Sequence, residues 1–150
     1  VMPAGVMEVV GDRNRLRQVL TNLVENAIAY TDAGKIAVRY WREGDRVHIE
    51  VEDSGKGISE EHQERVFDRF YRVDPARSRK SGGSGLGLSI VKQILHAHDQ
   101  PIHLESTIGE GSRFWFAIPH GSTGEWGESE EDAGATGSKE LAESEQGERA

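Results

Sequence analysis

RNRLRQVLTNLVENAIAY, residues 13–30, reads as one helix with two faces. Leu16, Val19, Leu20, Leu23, Val24, Ala27 and Ile28 recur at the spacing of a helical stripe, so one side needs apolar cover, and a sheet is the expected cover. The other side carries Asn22, Asn26 and Tyr30, each four residues from the last and so stacked along one line of the helix. Asparagine is a middling helix former because its amide competes for backbone groups. Two of them in mid-helix point to a polar task, and neutral carboxamide oxygens suit a hard cation that already sits on phosphates. The bland alternative is a helix that shows two amides to water. Asp12, just upstream, is the expected N-cap.

The 150 residues allow one domain with a real core, but the charge is unevenly spread. Nine acidic and two basic side chains fall in residues 121–150, against 17 and 16 in residues 1–120. The terminal stretch holds one Trp and one Leu among Gly, Ser, Glu and Ala. That is too little apolar surface to offset the entropy of ordering, so it reads as a disordered acidic tail on a domain of residues 1–120. Without a basic excess the folded part offers no long surface for nucleic acid. The absence of cysteine excludes a disulfide framework and any cysteine-based metal site. No apolar run reaches membrane-spanning length, and the reading expects no signal peptide and no membrane contact by this chain. It begins at Val1, which is expected of a piece cut from a longer protein.

Residues 8–10 fit a short edge strand, and residues 31–34 a turn with Gly34 at positive φ. Residues 35–41 alternate Ile36, Val38 and Tyr40 against polar neighbours, and residues 46–52 alternate Val47, Ile49 and Val51, which predicts a hairpin with one face buried. His48 falls on its polar face. At the end of the second strand stand Asp53, Gly55, Gly57 and Ile58, a carboxylate and two glycines that let a flat ligand approach closely, or an ordinary flexible turn.

Residues 59–66 read as a short helix capped by Ser59. Residues 69–85 follow, with Arg69, Arg72, Arg77, Arg79 and Lys80 punctuated by Pro and Gly. A loop of that length in a domain is commonly a lid, and arginines on a lid fit a polyanion; a solvated basic loop is the alternative. Gly82, Gly83, Gly85 and Gly87 then open a helix over residues 86–98, with Leu86, Ile90, Val91, Ile94 and Leu95 as its stripe. Glycines there expose backbone N–H groups to anions, a ready phosphate cradle. Strands at residues 101–107 and 113–118 close the domain. No Gly-Lys-Ser/Thr enters a helix, which excludes a Walker loop, and the hairpins do not suit a dinucleotide-binding unit. A eukaryotic-type protein kinase would need an HRD-like loop and more chain.

Four segments in this order resemble the catalytic and ATP-binding domain of sensor histidine kinases, members of the GHKL ATPases with the Bergerat fold. NLVENAIAYT is similar to the N box, DSGKGI to the first glycine box, VFDRFYRVD to the phenylalanine box and GGSGLGLSIV to the second glycine box, and the GEGSRFWFAIP ending also matches. The resemblance covers roughly residues 8–119. It implies an α+β, two-layer sandwich, with a mixed, mostly antiparallel sheet packed on helices and a mobile ATP lid.

By that resemblance ATP and Mg²⁺ are the cofactors. Asn26 holds the metal and Asn22 supports the phosphates from the same face. Tyr30 lies against adenine, and Asp53 accepts a hydrogen bond from its exocyclic amine. Gly55 and Gly57 leave room for the base, with Ile58 as its wall. Arg72 and Arg77 reach the triphosphate, and Gly85, Leu86, Gly87 and Leu88 form the helix N-terminus beneath it. Phe67 and Phe70 seat the lid and face the substrate helix, or serve only the core. The implied reaction transfers the γ-phosphoryl group to a histidine on a separate helical dimerisation domain, with Asn22, Asn26 and Arg72 as the catalytic candidates and a response regulator downstream.

GHKL hydrolases place a water-activating Glu four residues before the metal Asn; here that position is Asn22, which favours kinase over ATPase, and Glu25 is expected to face elsewhere. The family commonly has Lys or Arg where this chain has Ala29, and Gly-Gly where it has Asp99 and Gln100. None of His48, His62, His96, His98, His103 or His120 sits in a phosphoacceptor motif. A monomeric, cytoplasmic fragment of a membrane-anchored kinase is the expectation. A nucleotide-binding regulatory module without kinase activity, kept alive by Ala29, and a GHKL-type ATPase are the alternatives.

Overall fold

The computed structural model describes residues 6–76 and 83–121. The opening helix, α1, spans Arg13–Tyr30, and the Asp12 carboxylate accepts from the backbone N–H groups of Asn14 and Arg15 at 3.0 Å each, as an N-cap should. After it come β1 (Ile36–Glu43), β2 (Arg46–Asp53), a single helical turn α2 (Glu60–Gln63), α3 (Gly87–Ala97), β3 (His103–Thr107) and β4 (Gly111–Pro119).

The four strands form one sheet in the order β1-β2-β4-β3, antiparallel at every pairing among the described residues. The α+β, two-layer expectation holds, and the sheet shows no parallel pair in this part of the chain. Residues 8–10 make one bridge, Val9 to His120, in place of a full strand, and the Val10 N–H donates to the Pro119 carbonyl at 3.0 Å.

The core lies between the helices and one sheet face. Val19, Leu23 and Ala27 of α1 and Val91, Ile94 and Leu95 of α3 pack over Val51, Phe114, Phe116 and Ile118. Burying each large side chain contributes about 1.5–3 kcal/mol. Phe67 joins this core edge-on against Phe114, ring centroids 6.1 Å apart.

Ile28 departs from the expected stripe and is 60% exposed. Nine residues after Val19, it lies about 180° round the helix, off the covered face. The apolar face of β1 is also less buried than its alternation suggests, with Val38 46% exposed, because β1 is an edge strand at the margin of the helical layer. The short helix after Ser59 is only one turn, and Ser59 makes no capping hydrogen bond through its side chain.

α3 ends in a two-bond wrap: the Asp99 N–H donates to the His96 carbonyl at 2.9 Å and the Gln100 N–H to the Leu95 carbonyl at 2.8 Å. Asp99 takes φ 55 to make it, a left-handed conformation usually given to glycine.

Candidate functional site

The alternation of β2 runs Val47, Ile49, Val51 and then Asp53, so period two carries the carboxylate onto the apolar, helix-facing side at the strand end. Asp53 is 5% exposed. Its Oδ1 accepts from the Gly55 N–H at 2.9 Å. Burial raises its pKa above the ordinary aspartate value, and the backbone N–H groups of Gly55 and Ser112 partly oppose that. The Thr31 hydroxyl, near the same carboxylate without meeting strict hydrogen-bond geometry, also favours the charged form. A buried carboxylate in this state gains from a further donor brought by a ligand.

The glycines around it serve the protein's own backbone as much as any ligand. A Cβ at Gly55 would lie 2.2 Å from the Tyr30 carbonyl oxygen, and one at Gly57, whose φ is +74, would lie 2.1 Å from that of Thr107. The room expected for a base is therefore largely room for neighbouring chain. At Gly85, φ +73, a Cβ would meet the Phe70 Cα at 3.1 Å, and the Gly85 carbonyl accepts from the Phe70 N–H at 2.9 Å.

At the other end of the cleft α3 begins. Its first intrahelical bond runs from Ile90 N–H to Leu86 carbonyl at 2.9 Å, and no side chain caps the N-terminus. The amides of its first turn thus have no intrahelical acceptor and carry the positive end of the helix dipole. Asn22 reaches across from α1, its Nδ2 donating to the Gly87 carbonyl at 3.2 Å. The Arg72 guanidinium donates to the Gly83 carbonyl, next to the same turn.

These parts enclose a cleft of about 630 Å³, within the usual range for small-molecule sites. Asn22, Asn26, Tyr30, Asp53, Gly57, Ile58, Arg72, Gly85, Gly87 and Leu88 line it. Gly55 and Leu86 support the wall without lining it. Arg77, expected to reach a triphosphate, and the acidic tail lie outside the described residues. Glu25, expected to face elsewhere, lines the cleft at an exposed position. Lys56, Tyr71, Val73 and Ser112 also line it; they lie inside the quoted motif segments, where nothing singled them out individually.

The residues fit a nucleotide with its cation. A buried acceptor stands at one end and open helix amides at the other, with two carboxamides between them on α1. Among the described residues no group of three or more His, Cys, Asp or Glu could hold a metal alone. A divalent ion at Asn26 would therefore need phosphate oxygens as co-ligands, the way Mg²⁺ is commonly held.

Residues 11–122 match the family described as histidine kinase-, DNA gyrase B-, and HSP90-like ATPase. The sensor-like histidine kinase SenX3 of Mycobacterium tuberculosis is 49% identical over 114 residues, covering 75% of this chain and 28% of that protein. The circadian input-output histidine kinase CikA of Synechococcus elongatus is 45% identical over 109 residues, covering 72% of this chain and 14% of that one. Among solved structures, full-length ShkA in complex with AMPPNP superposes with TM-score 0.69 at 30% identity, covering 81% of this chain and 25% of that chain. The catalytic domain of histidine kinase ThkA gives 0.66 at 36% identity, covering 79% and 76%. The chain thus spans well under a third of the length of these two curated relatives.

Proposed function

The chain belongs to the histidine kinase-, DNA gyrase B-, and HSP90-like ATPase family, and from that premise we propose that it passes the γ-phosphoryl group of ATP to a histidine on a separate helical dimerisation domain. The observation that carries this reading is the pairing, in one cleft, of the buried Asp53 carboxylate with the open N-terminus of α3.

Asp53 accepts from the exocyclic amine of adenine, a contact that disfavours guanine, whose equivalent edge is a carbonyl. Tyr30 and Ile58 flank the base. The amides of Gly87 and Leu88 and the Arg72 guanidinium meet the phosphates, with Arg77 a further candidate for them. Asn26 holds Mg²⁺, which when bound neutralises phosphate charge. Asn22 fixes the first turn of α3 through Gly87. In-line phosphoryl transfer asks chiefly for such positioning and neutralisation, and no covalent catalyst is required of the chain.

Phe70 supports a docking role for the same end of the molecule. It is 68% exposed and held at φ 64 by its hydrogen bond to Gly85, so an aromatic ring stands in solvent beside the cleft, suited to the helix that presents the histidine. The acidic tail is proposed as an appendage outside the 1–120 catalytic domain. A response regulator that takes the phosphoryl group onward, and a cytoplasmic location where ATP is plentiful, complete the reading; no described helix is long and apolar enough to cross a membrane.

The test is to mix the chain with a separately made helical acceptor domain of the same kinase and Mg·ATP labelled at the γ-phosphate. Label on an acceptor histidine, lost with Asp53→Ala, is expected. Absence of transfer from a chain that still binds ATP would favour a regulatory module. Glu25 at the exposed rim supports one second reading, ATP hydrolysis, which predicts steady phosphate release without acceptor that falls in Glu25→Gln.

A further inference from the structure

Lys56 is the side chain between the two glycines of the Asp53–Gly57 turn, and its backbone is tightly held. Its N–H donates to the Tyr30 carbonyl at 3.3 Å, and its own carbonyl accepts from Gly109 N–H at 2.8 Å. From that fixed root the ammonium group lies 5.3 Å from the centroid of the Tyr30 ring, within cation–π range. It also lies 3.6 Å from an Asp74 carboxylate oxygen. Asp74 follows Tyr71, Arg72 and Val73, all of which line the cleft. Three separate pieces of wall therefore meet at one cation: the last turn of α1, the glycine turn and residues 71–74.

Position matters here because Lys56 and Arg72 are the only cationic side chains among the described residues lining the cleft, and Ala29 supplies none. Arg72 is engaged with the Gly83 carbonyl. We propose that Lys56 is a positioning residue that clasps residues 71–74 against the Tyr30 side of the cleft and so slows release of a bound adenine nucleotide. The inference rests on the nucleotide reading above. The pair is partly exposed, with side chains 37% and 41% accessible, so its contribution is modest and belongs in a dissociation rate more than in the presence of binding.

The experiment follows release of fluorescently labelled ADP from the full chain by stopped flow, in the wild type, Lys56→Met, Asp74→Asn, the double variant, and the exchange of Lys56→Glu with Asp74→Lys. Each single change is expected to speed release about threefold, the double change no more than either single, and the exchange to recover part of the loss. Unchanged rates in the single variants, or effects that multiply in the double variant, would overturn the clasp while leaving nucleotide binding intact. A wild type that binds no labelled ADP would overturn the underlying reading as well. The cycle also separates the clasp from direct phosphate binding by Lys56, for which Asp74→Asn would leave release unchanged or slow it.

Discussion

The side-chain amide of Asn22 donates to the carbonyl of Gly87, 3.2 Å away, and thereby ties the middle of α1 to the first turn of α3. α3 sets the phosphate end of the cleft and α1 runs along its middle, so a helix residue chosen by sequence as a phosphate contact also aligns the phosphate cradle. Asn22→Ala removes that tie. It is expected to weaken ATP and ADP alike by about tenfold, the cost of roughly one partly buried hydrogen bond, measured by calorimetric titration. Loss of ATP binding alone would point instead to direct contact with the γ-phosphate.

Asp53 links stability to affinity. Its folded-state pKa is raised by burial, so the folded chain holds that proton more tightly than the unfolded chain does. Ionised Asp53 therefore destabilises the empty domain near neutral pH. That cost is relieved as the pH falls through the raised folded value toward the ordinary aspartate range. Asp53→Asn is expected to melt higher than the wild type at neutral pH, with the gap narrowing on acidification, while losing adenine binding. Wild-type affinity should fall over the same acidic range as the carboxylate takes up its proton. Parallel melting scans from neutral to acidic pH read both, and a gap that widens on acidification would contradict the assignment.

The glycine turn separates strain from collision. Gly44 sits at φ +62 with nothing within 4 Å of an added Cβ, whereas at Gly57, φ +74, the added atom would lie 2.1 Å from the Thr107 carbonyl oxygen. Gly44→Ala is expected to cost about 1–2 kcal/mol, the left-handed backbone penalty alone. Gly57→Ala should cost clearly more and distort the cleft wall. Denaturant melts of the two variants check the difference, and equal losses would show that the Thr107 chain simply yields.

These positions show what sequence could and could not convey. The α1 cap at Asp12, the buried stripe through Val19, Leu23 and Ala27, and the cleft residues Asn26, Asp53 and Gly87 follow from local patterns that the fold leaves in place. Exposure of Val38 depended on which strand would lie at the sheet edge, a property of topology that alternation within β1 cannot carry. Gly55 was legible as a needed glycine, but the atom that requires it, the Tyr30 carbonyl, is 25 residues distant in the chain. Lys56 lies inside the quoted DSGKGI segment but had no signal of its own, because its partners Tyr30 and Asp74 come together only in three dimensions.

Asp99 ends α3 at φ 55, where the resemblance leads one to expect glycine. The two closing hydrogen bonds form regardless, so the side chain adds strain without changing the turn. Asp99→Gly is expected to stabilise the domain by about 0.5–1 kcal/mol, with unchanged nucleotide affinity because the turn lies at the far end of α3 from the cleft. A lower melting temperature would mean that the Asp99 carboxylate does something for the turn beyond its backbone.

Ala29 lines the cleft one residue before Tyr30, where the resemblance leads one to expect a cation. The described lining contains only Lys56 and Arg72 as positive side chains, so polyphosphate charge is left incompletely countered from the α1 side. Ala29→Lys places an ammonium group on the helix that carries Asn22 and Asn26. It is expected to strengthen ATP about three- to tenfold, ADP less and adenosine not at all, with the gain shrinking as salt is raised. Calorimetric titration of the three ligands at low and high ionic strength provides the measurement. Equal gains for all three would mean that the new side chain acts by packing against the base, and that the phosphates do not lie along this face of α1.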